Sequence, residues 1–143
     1  ASNGVDFENT AANNVKILSA ATSGTAISIT GASTNAAATN TRAIYAGVAG
    51  LTINASGGGN ISIVATQAAT LATNPGAISF GGSSDILAST GNISIDGGAK
   101  GIYWTGTINL GALAASTAAI TFALISANGI FSDSASVRPL NST

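Results

Sequence analysis

Apolar and polar residues alternate along this chain in short bursts. Val15-Lys16-Ile17, Ile27-Ser28-Ile29, Leu51-Thr52-Ile53, Ile61-Ser62-Ile63, Ile78-Ser79-Phe80, Ile93-Ser94-Ile95, Ile108-Asn109-Leu110 and Ile120-Thr121-Phe122 each read apolar–polar–apolar. A period of two places the Ile, Leu and Phe on one face of a strand and the Ser, Thr or Asn on the other. Each burst stops within a few residues at Gly, Asn or Ser, so the pattern predicts very short strands.

The bursts also recur. Ile27, Ile44, Ile61 and Ile78 follow one another at equal steps, and Ile93 and Ile108 continue at slightly shorter ones. Weaker apolar points at Leu51, Leu71, Ile86, Ile102, Leu113 and Ile125 fall between them. One phrase is repeated outright, Gly59-Asn60-Ile61-Ser62-Ile63 and Gly91-Asn92-Ile93-Ser94-Ile95, and Gly76-Ala77-Ile78-Ser79-Phe80 is a close variant. Self-similarity of this kind marks a repeat architecture.

The expected fold class is all-β, a parallel β-helix (β-solenoid), either whole or a segment of a longer one. With three strands per coil, a coil takes roughly 22–24 residues and the chain makes about six coils, stacked at about 4.8 Å. The expected core ladder is Ile27, Ile29, Ile44, Ile61, Ile63, Ile78, Phe80, Ile93, Ile95, Ile108, Leu110, Ile120 and Phe122. The solenoid is expected over 1–131, with loops near 31–42 and 66–75, where small polar residues replace the alternation. Residues 132–143 lose the pattern, and Pro139 cannot donate to a ladder, so an irregular tail or linker is expected there.

Composition narrows the function. Only 6% of the residues are charged, net charge is −1, and about two thirds of the chain is Ala, Ser, Thr, Gly or Asn. Stacked coils explain the low charge, because a charge repeated rung upon rung sits against its own kind whereas hydroxyls hydrogen-bond. Four cations cannot supply the basic footprint of a nucleic-acid-binding protein. With no His and no Cys, the common zinc and haem-thiolate chemistries, disulfides and His-based triads are absent. The most apolar window, Ala112 to Phe131, is broken by Ser, Thr, Asn and Gly and lacks basic or aromatic flanks on both sides, so no membrane span is expected.

The phrases GNISI, GAISF, GNISIDGGAKGIYWTGTINL and ANGIF resemble the repeat regions of filamentous-haemagglutinin-type exoproteins of the two-partner secretion route, and of autotransporter passengers. The resemblance is strongest over 57–131. It implies a right-handed parallel β-helix in an extracellular or cell-surface bacterial filament with a role in adhesion. The family's secretion module, with its Asn-Pro motifs, is not visible in this chain.

Candidate chemistry is sparse. A polysaccharide-cleaving β-helix needs carboxylates on adjacent coils, and only Asp85 and Asp96, with Lys100 beside the latter, come near that pattern. The pair Asp96 and Lys100 reads as a surface ion pair across a corner. Gly57-Gly58-Gly59 precedes a strand and Gly97-Gly98-Ala99-Lys100-Gly101 lacks the phosphate-loop order, so both read as corners. No catalytic residue, metal or cofactor is expected. Tyr103 and Trp104 are the candidate surface contact, with one ring of the pair facing out by alternation.

The expectation is a non-enzymatic structural component of an extracellular filament or adhesin, a stiff rod whose partners are copies of itself or adjacent coils, and cell-surface glycans or proteins. The alternatives are a carbohydrate-active or carbohydrate-binding β-helix, and a pilin-like or surface-layer β-sandwich subunit. Longer antiparallel strands would mark the sandwich.

Overall fold

The computed structural model describes residues 3–7, 15–34, 41–47, 50–67, 76–104, 107–112, 122–125, 130–132 and 137–140. They form an all-β structure whose strands are β1 (Val5–Phe7), β2 (Val15–Ser19), β3 (Thr25–Ser33), β4 (Ile44–Ala46), β5 (Leu51–Ala55), β6 (Asn60–Gln67), β7 (Ile78–Phe80), β8 (Ser84–Ala88), β9 (Ile93–Asp96), β10 (Ile102–Trp104), β11 (Ile108–Ala112), β12 (Phe122–Ile125), β13 (Ile130–Ser132) and β14 (Val137–Leu140). A single 3-10 turn, Gly98–Lys100, interrupts them between β9 and β10.

The strands are dealt in rotation into three sheets, ordered β1-β4-β7-β10-β13, β2-β5-β8-β11-β14 and β3-β6-β9-β12, and every pairing is parallel. Each strand thus lies beside the strand three places on. We call three consecutive strands a round and the sheets A, B and C in the order of β1, β2 and β3. The described strands make four rounds and two strands of a fifth. The chain length between paired residues varies, from 39 residues at Val5↔Ile44 to 24 at Ile78↔Ile102. The sequence reading expects 22–24 throughout, and most of the observed spacings are longer.

Register explains the patterns in the sequence. The even step through Ile27, Ile44, Ile61 and Ile78 alternates between two sheets, with Ile27 beside Ile61 on sheet C and Ile44 beside Ile78 on sheet A. The two identical phrases sit directly over each other, Ile61 on Ile93, Ser62 on Ser94 and Ile63 on Ile95. Their asparagines join the rungs, since Asn60 Oδ1 accepts the Asn92 N–H at 2.8 Å. Their glycines abut: a Cβ on Gly91 would lie 2.2 Å from the Gly59 carbonyl oxygen. The variant phrase at Gly76–Phe80 lies on sheet A instead.

One face of every fully described strand fills a common apolar core. Of the expected ladder, Ile27, Ile29, Ile44, Ile61, Ile63, Ile78, Phe80, Ile93, Ile95, Ile108 and Leu110 are buried. Ile120 lies outside the described residues, and Phe122 stands in register with Ile93 on β12. Leu51, Ile53 and Ile86 of sheet B and Ile102 of sheet A belong to the same core. Within sheet A the inward column runs Phe7–Ala46–Phe80–Trp104, with the small Ala46 between two phenylalanines.

Two segments differ from expectation. Strand β3 runs to Ser33, so pairing continues into the stretch read as a loop at 31–42, and β6 likewise carries Thr66 and Gln67. Residues 35–40 and 68–75 are outside the description. The stretch read as a tail holds strand β14, paired Ile108↔Val137 to Gly111↔Leu140. Pro139 misled the reading because β14 is the outermost strand of its sheet, where a residue without an N–H is tolerated.

Candidate functional site

The parallel register turns outward-facing residues into columns that run from rung to rung. On sheet A the column is Asp6, Tyr45, Ser79 and Tyr103. Ser79 alternates outward between buried Ile78 and Phe80, yet it is only 3% exposed. Its register neighbours on either side are Tyr45 and Tyr103, both half-buried, and larger side chains flanking a small one account for its cover. The Arg42 guanidinium lies over the Tyr45 ring, 5.3 Å from its centroid, a cation–π geometry.

Trp104 is not part of this surface. It is 6% exposed, continues the inward column above Phe80, and packs in the apolar core. Of the adjacent aromatic pair, Tyr103 is therefore the outward member. The parity is set by Ile102, which faces the core, so a strict two-residue alternation from Ile102 would have placed Trp104 inside. Sequence reading did not single out the Tyr45–Ser79–Tyr103 column, because the rows meet only once the register is known.

On sheet B the outward columns are Lys16, Thr52, Asp85 and Asn109, and Leu18, Asn54 and Leu87. Asn109 Nδ2 donates to Asp85 Oδ1 at 2.7 Å, which bridges two rungs. Leu18 is 65% exposed, on the outermost strand β2. On sheet C, Ser28, Ser62 and Ser94 form a row of hydroxyls.

The two carboxylates considered for catalysis do not meet. Asp85 is on sheet B and Asp96 at the end of β9 on sheet C, beside Val64. Asp96 Oδ1 accepts the Gly98 N–H at 2.7 Å, at the start of the 3-10 turn. Among the described residues there is no group of three or more His, Cys, Asp or Glu placed to hold a metal ion. No described helix is long and apolar enough to cross a membrane.

A buried polar knot closes the corner beyond β3 and β6. Ser33 Oγ donates to Thr41 Oγ1 at 3.2 Å, and Gln67 Nε2 donates to the Thr41 carbonyl. Next to it, the Arg42 N–H donates to Asn3 Oδ1 at 2.9 Å, and Asn3 Nδ2 donates to Asp6 Oδ2 at 2.7 Å. These bonds satisfy several backbone and side-chain groups where the chain leaves the ladders, while Gln67 Oε1 is buried with no hydrogen-bond partner.

Comparison with protein-family models, with curated proteins and with solved structures finds no match to this chain.

Proposed function

We propose that the three sheets close on one another as the faces of a β-solenoid, and that the protein is a structural, rod-forming segment of an extracellular bacterial filament or adhesin. The observation that carries this reading is the rotation of strands through three all-parallel sheets with a single apolar core between them. Serial parallel pairing builds length along one axis, and each rung is held by its neighbours. A stiff rod follows from that geometry with no catalytic centre required. The location outside a bacterial cell is supported by the repeat resemblance and by a composition poor in charge and free of Cys and His.

The outward Tyr45–Ser79–Tyr103 column is the face we assign to surface contact. A further rung, from another copy or from adjacent coils, is supported at the first round. Val5, Phe7, Val15 and Ile17 there are only partly buried, whereas their register partners Ile44, Ala46, Leu51 and Ile53 are buried. Unpaired strand edges over incompletely covered apolar residues recruit further strands.

Electron microscopy and sedimentation of the purified chain over a range of concentrations test the reading. Rods that lengthen with concentration are expected, with an amide I band free of the antiparallel component. A compact monomer at every concentration would remove the filament, and a strong antiparallel component would remove the solenoid.

A further inference from the structure

We propose that Asn3 and Gly4 form a self-modification site. Once strand β1 parts from β4, the Asn3 side-chain amide is lost as ammonia, and the product keeps the two strands from pairing as before. The chemistry belongs to the dipeptide. The Gly4 backbone nitrogen attacks Asn3 Cγ and forms a C–N bond. The bond from Cγ to the side-chain nitrogen breaks, and ammonia leaves with the proton from the Gly4 nitrogen. Water then opens the five-membered succinimide at either carbonyl, giving aspartate or isoaspartate with no oxidant or cofactor. Glycine after asparagine makes the attack easiest, because no side chain shields its nitrogen. Asn3-Gly4 is the one Asn-Gly step among the described residues.

The fold calls for both residues where they stand. A Cβ on Gly4 would lie 2.3 Å from the Ala32 carbonyl oxygen and 2.7 Å from that of Ala43, so only glycine fits between those backbones. Asn3 joins two segments at once: Oδ1 accepts the Arg42 N–H at 2.9 Å, and Nδ2 donates to Asp6 Oδ2 at 2.7 Å. The position needs a side chain that both accepts and donates, and asparagine supplies one. Asn3 is half-buried and Gly4 and Asp6 are exposed, so water reaches the site.

Pairing holds the reaction off. The Gly4 N–H donates to the Arg42 carbonyl at 3.0 Å, which engages the nucleophile, and both ends of the Asn3 amide are held by the bonds above. Opening β1 from β4 releases all three groups together. The products do not fit the closed arrangement. Aspartate at position 3 has no N–H to give Asp6, so two carboxylates stand where a hydrogen bond was, and at that distance they repel. Isoaspartate adds a main-chain atom immediately before Gly4, where the Ala32 and Ala43 backbones leave no space. A chain that has reacted therefore pairs β1 less well than one that has not.

The dilute full chain is incubated near neutral pH, native and in urea, and amide-to-acid conversion at Asn3 is followed by peptide mass spectrometry. Conversion in the native chain is expected to be at least about tenfold slower than in urea, because it waits on opening. The variant N3D carries the charge of the product. Hydrogen exchange at its Gly4 and Val5 amides, which bond the Arg42 and Ala43 carbonyls, is expected to be about tenfold or more faster than in the parent, the effect of losing a hydrogen bond to a charged group. Adding D6N to N3D restores a donor opposite the new carboxylate and is expected to return these amides to parental rates, which general disruption of the corner would not allow. Circular dichroism of each variant, matched to the parent chain, shows that it folds. Equal conversion in the native chain and in urea, or none at Asn3 in urea, would overturn the self-modification. Unchanged exchange in N3D, or no recovery on adding D6N, would overturn the effect of the product on pairing.

Discussion

Ile17 and Ile53 occupy one column of sheet B, one rung apart, and differ only in what lies beyond them. Ile53 is fully buried between Ile17 and Ile86, whereas Ile17 is on the outermost strand and only partly covered. A buried Ile cut to Ala loses its transfer free energy and leaves a cavity that parallel ladders on both sides cannot close. Ile53→Ala is therefore expected to cost about 3–4 kcal/mol. At Ile17 the surroundings are open, little cavity forms, and Ile17→Ala is expected to cost about 1–2 kcal/mol. Urea unfolding of the two variants measures both values. Equal costs would show that the first rung is as well packed as the second, and the case for a covering partner would go with that result. Tyr45, Ser79 and Tyr103 show the outward counterpart of the same rule, since a neighbour on the next rung decides how buried a residue is.

Strands in this chain are too short to hold themselves, so the corners decide where each begins, and glycine acts there in two different ways. Gly24 has φ +67° with open space around it, so a side chain there meets only backbone strain, about 1 kcal/mol. Gly91 has no unusual φ, but a Cβ would lie 2.2 Å from the Gly59 oxygen, and one on Gly57 would lie 2.1 Å from the Ala20 oxygen. Backbone cannot yield as a side chain can, so Gly91→Ala forces two rungs apart. It is expected to lower stability by about 2–3 kcal/mol, more than Gly24→Ala, as thermal or urea unfolding would show; the reverse order would mean that corner spacing does not set the stacking. The strands themselves were legible because alternation is local: Leu51-Thr52-Ile53 and Ile93-Ser94-Ile95 identify their inward residues with no knowledge of neighbours. The repeated Gly-Asn-Ile-Ser-Ile phrase was legible for the same reason, and its two copies lie on adjacent rungs. Round length was not, because the spacing between paired strands varies and the Ile27–Ile44–Ile61–Ile78 rhythm belongs to two sheets at once. Strand β14 was hidden by Pro139, which is acceptable only because of its edge position. The outward tyrosine column needed the register, a long-range property that no short window contains.

At the scale of the molecule, an arrangement in which each strand pairs only with those three places before and after it gains its stability from neighbouring rungs rather than from one compact centre. Such a structure opens from its ends. Strands β5, β6, β8 and β9 have a partner on each side and carry much of the fully buried core, including Ile53, Ile61, Ile63, Ile86, Ile93 and Ile95. Strands β1, β2 and β3 have one partner each, and opening β1 and β2 exposes side chains that are already partly exposed. Hydrogen exchange of the dilute, unassembled chain is therefore expected to show amides of β1 and β2 exchanging about tenfold or more faster than those of β5 and β8, since local opening there breaks one ladder instead of two. In the proposed fibre a further rung would cover these strands, so the same β1 and β2 amides are expected to slow toward the rates of the central strands, while β5 and β8 change little. Uniform protection before assembly would mean that the rungs unfold as one unit, and neighbour-by-neighbour stability would no longer describe the chain. A fibre in which β1 and β2 stay fast would place the contact between copies on the side of the rod, and the end edges would then have no part in building length.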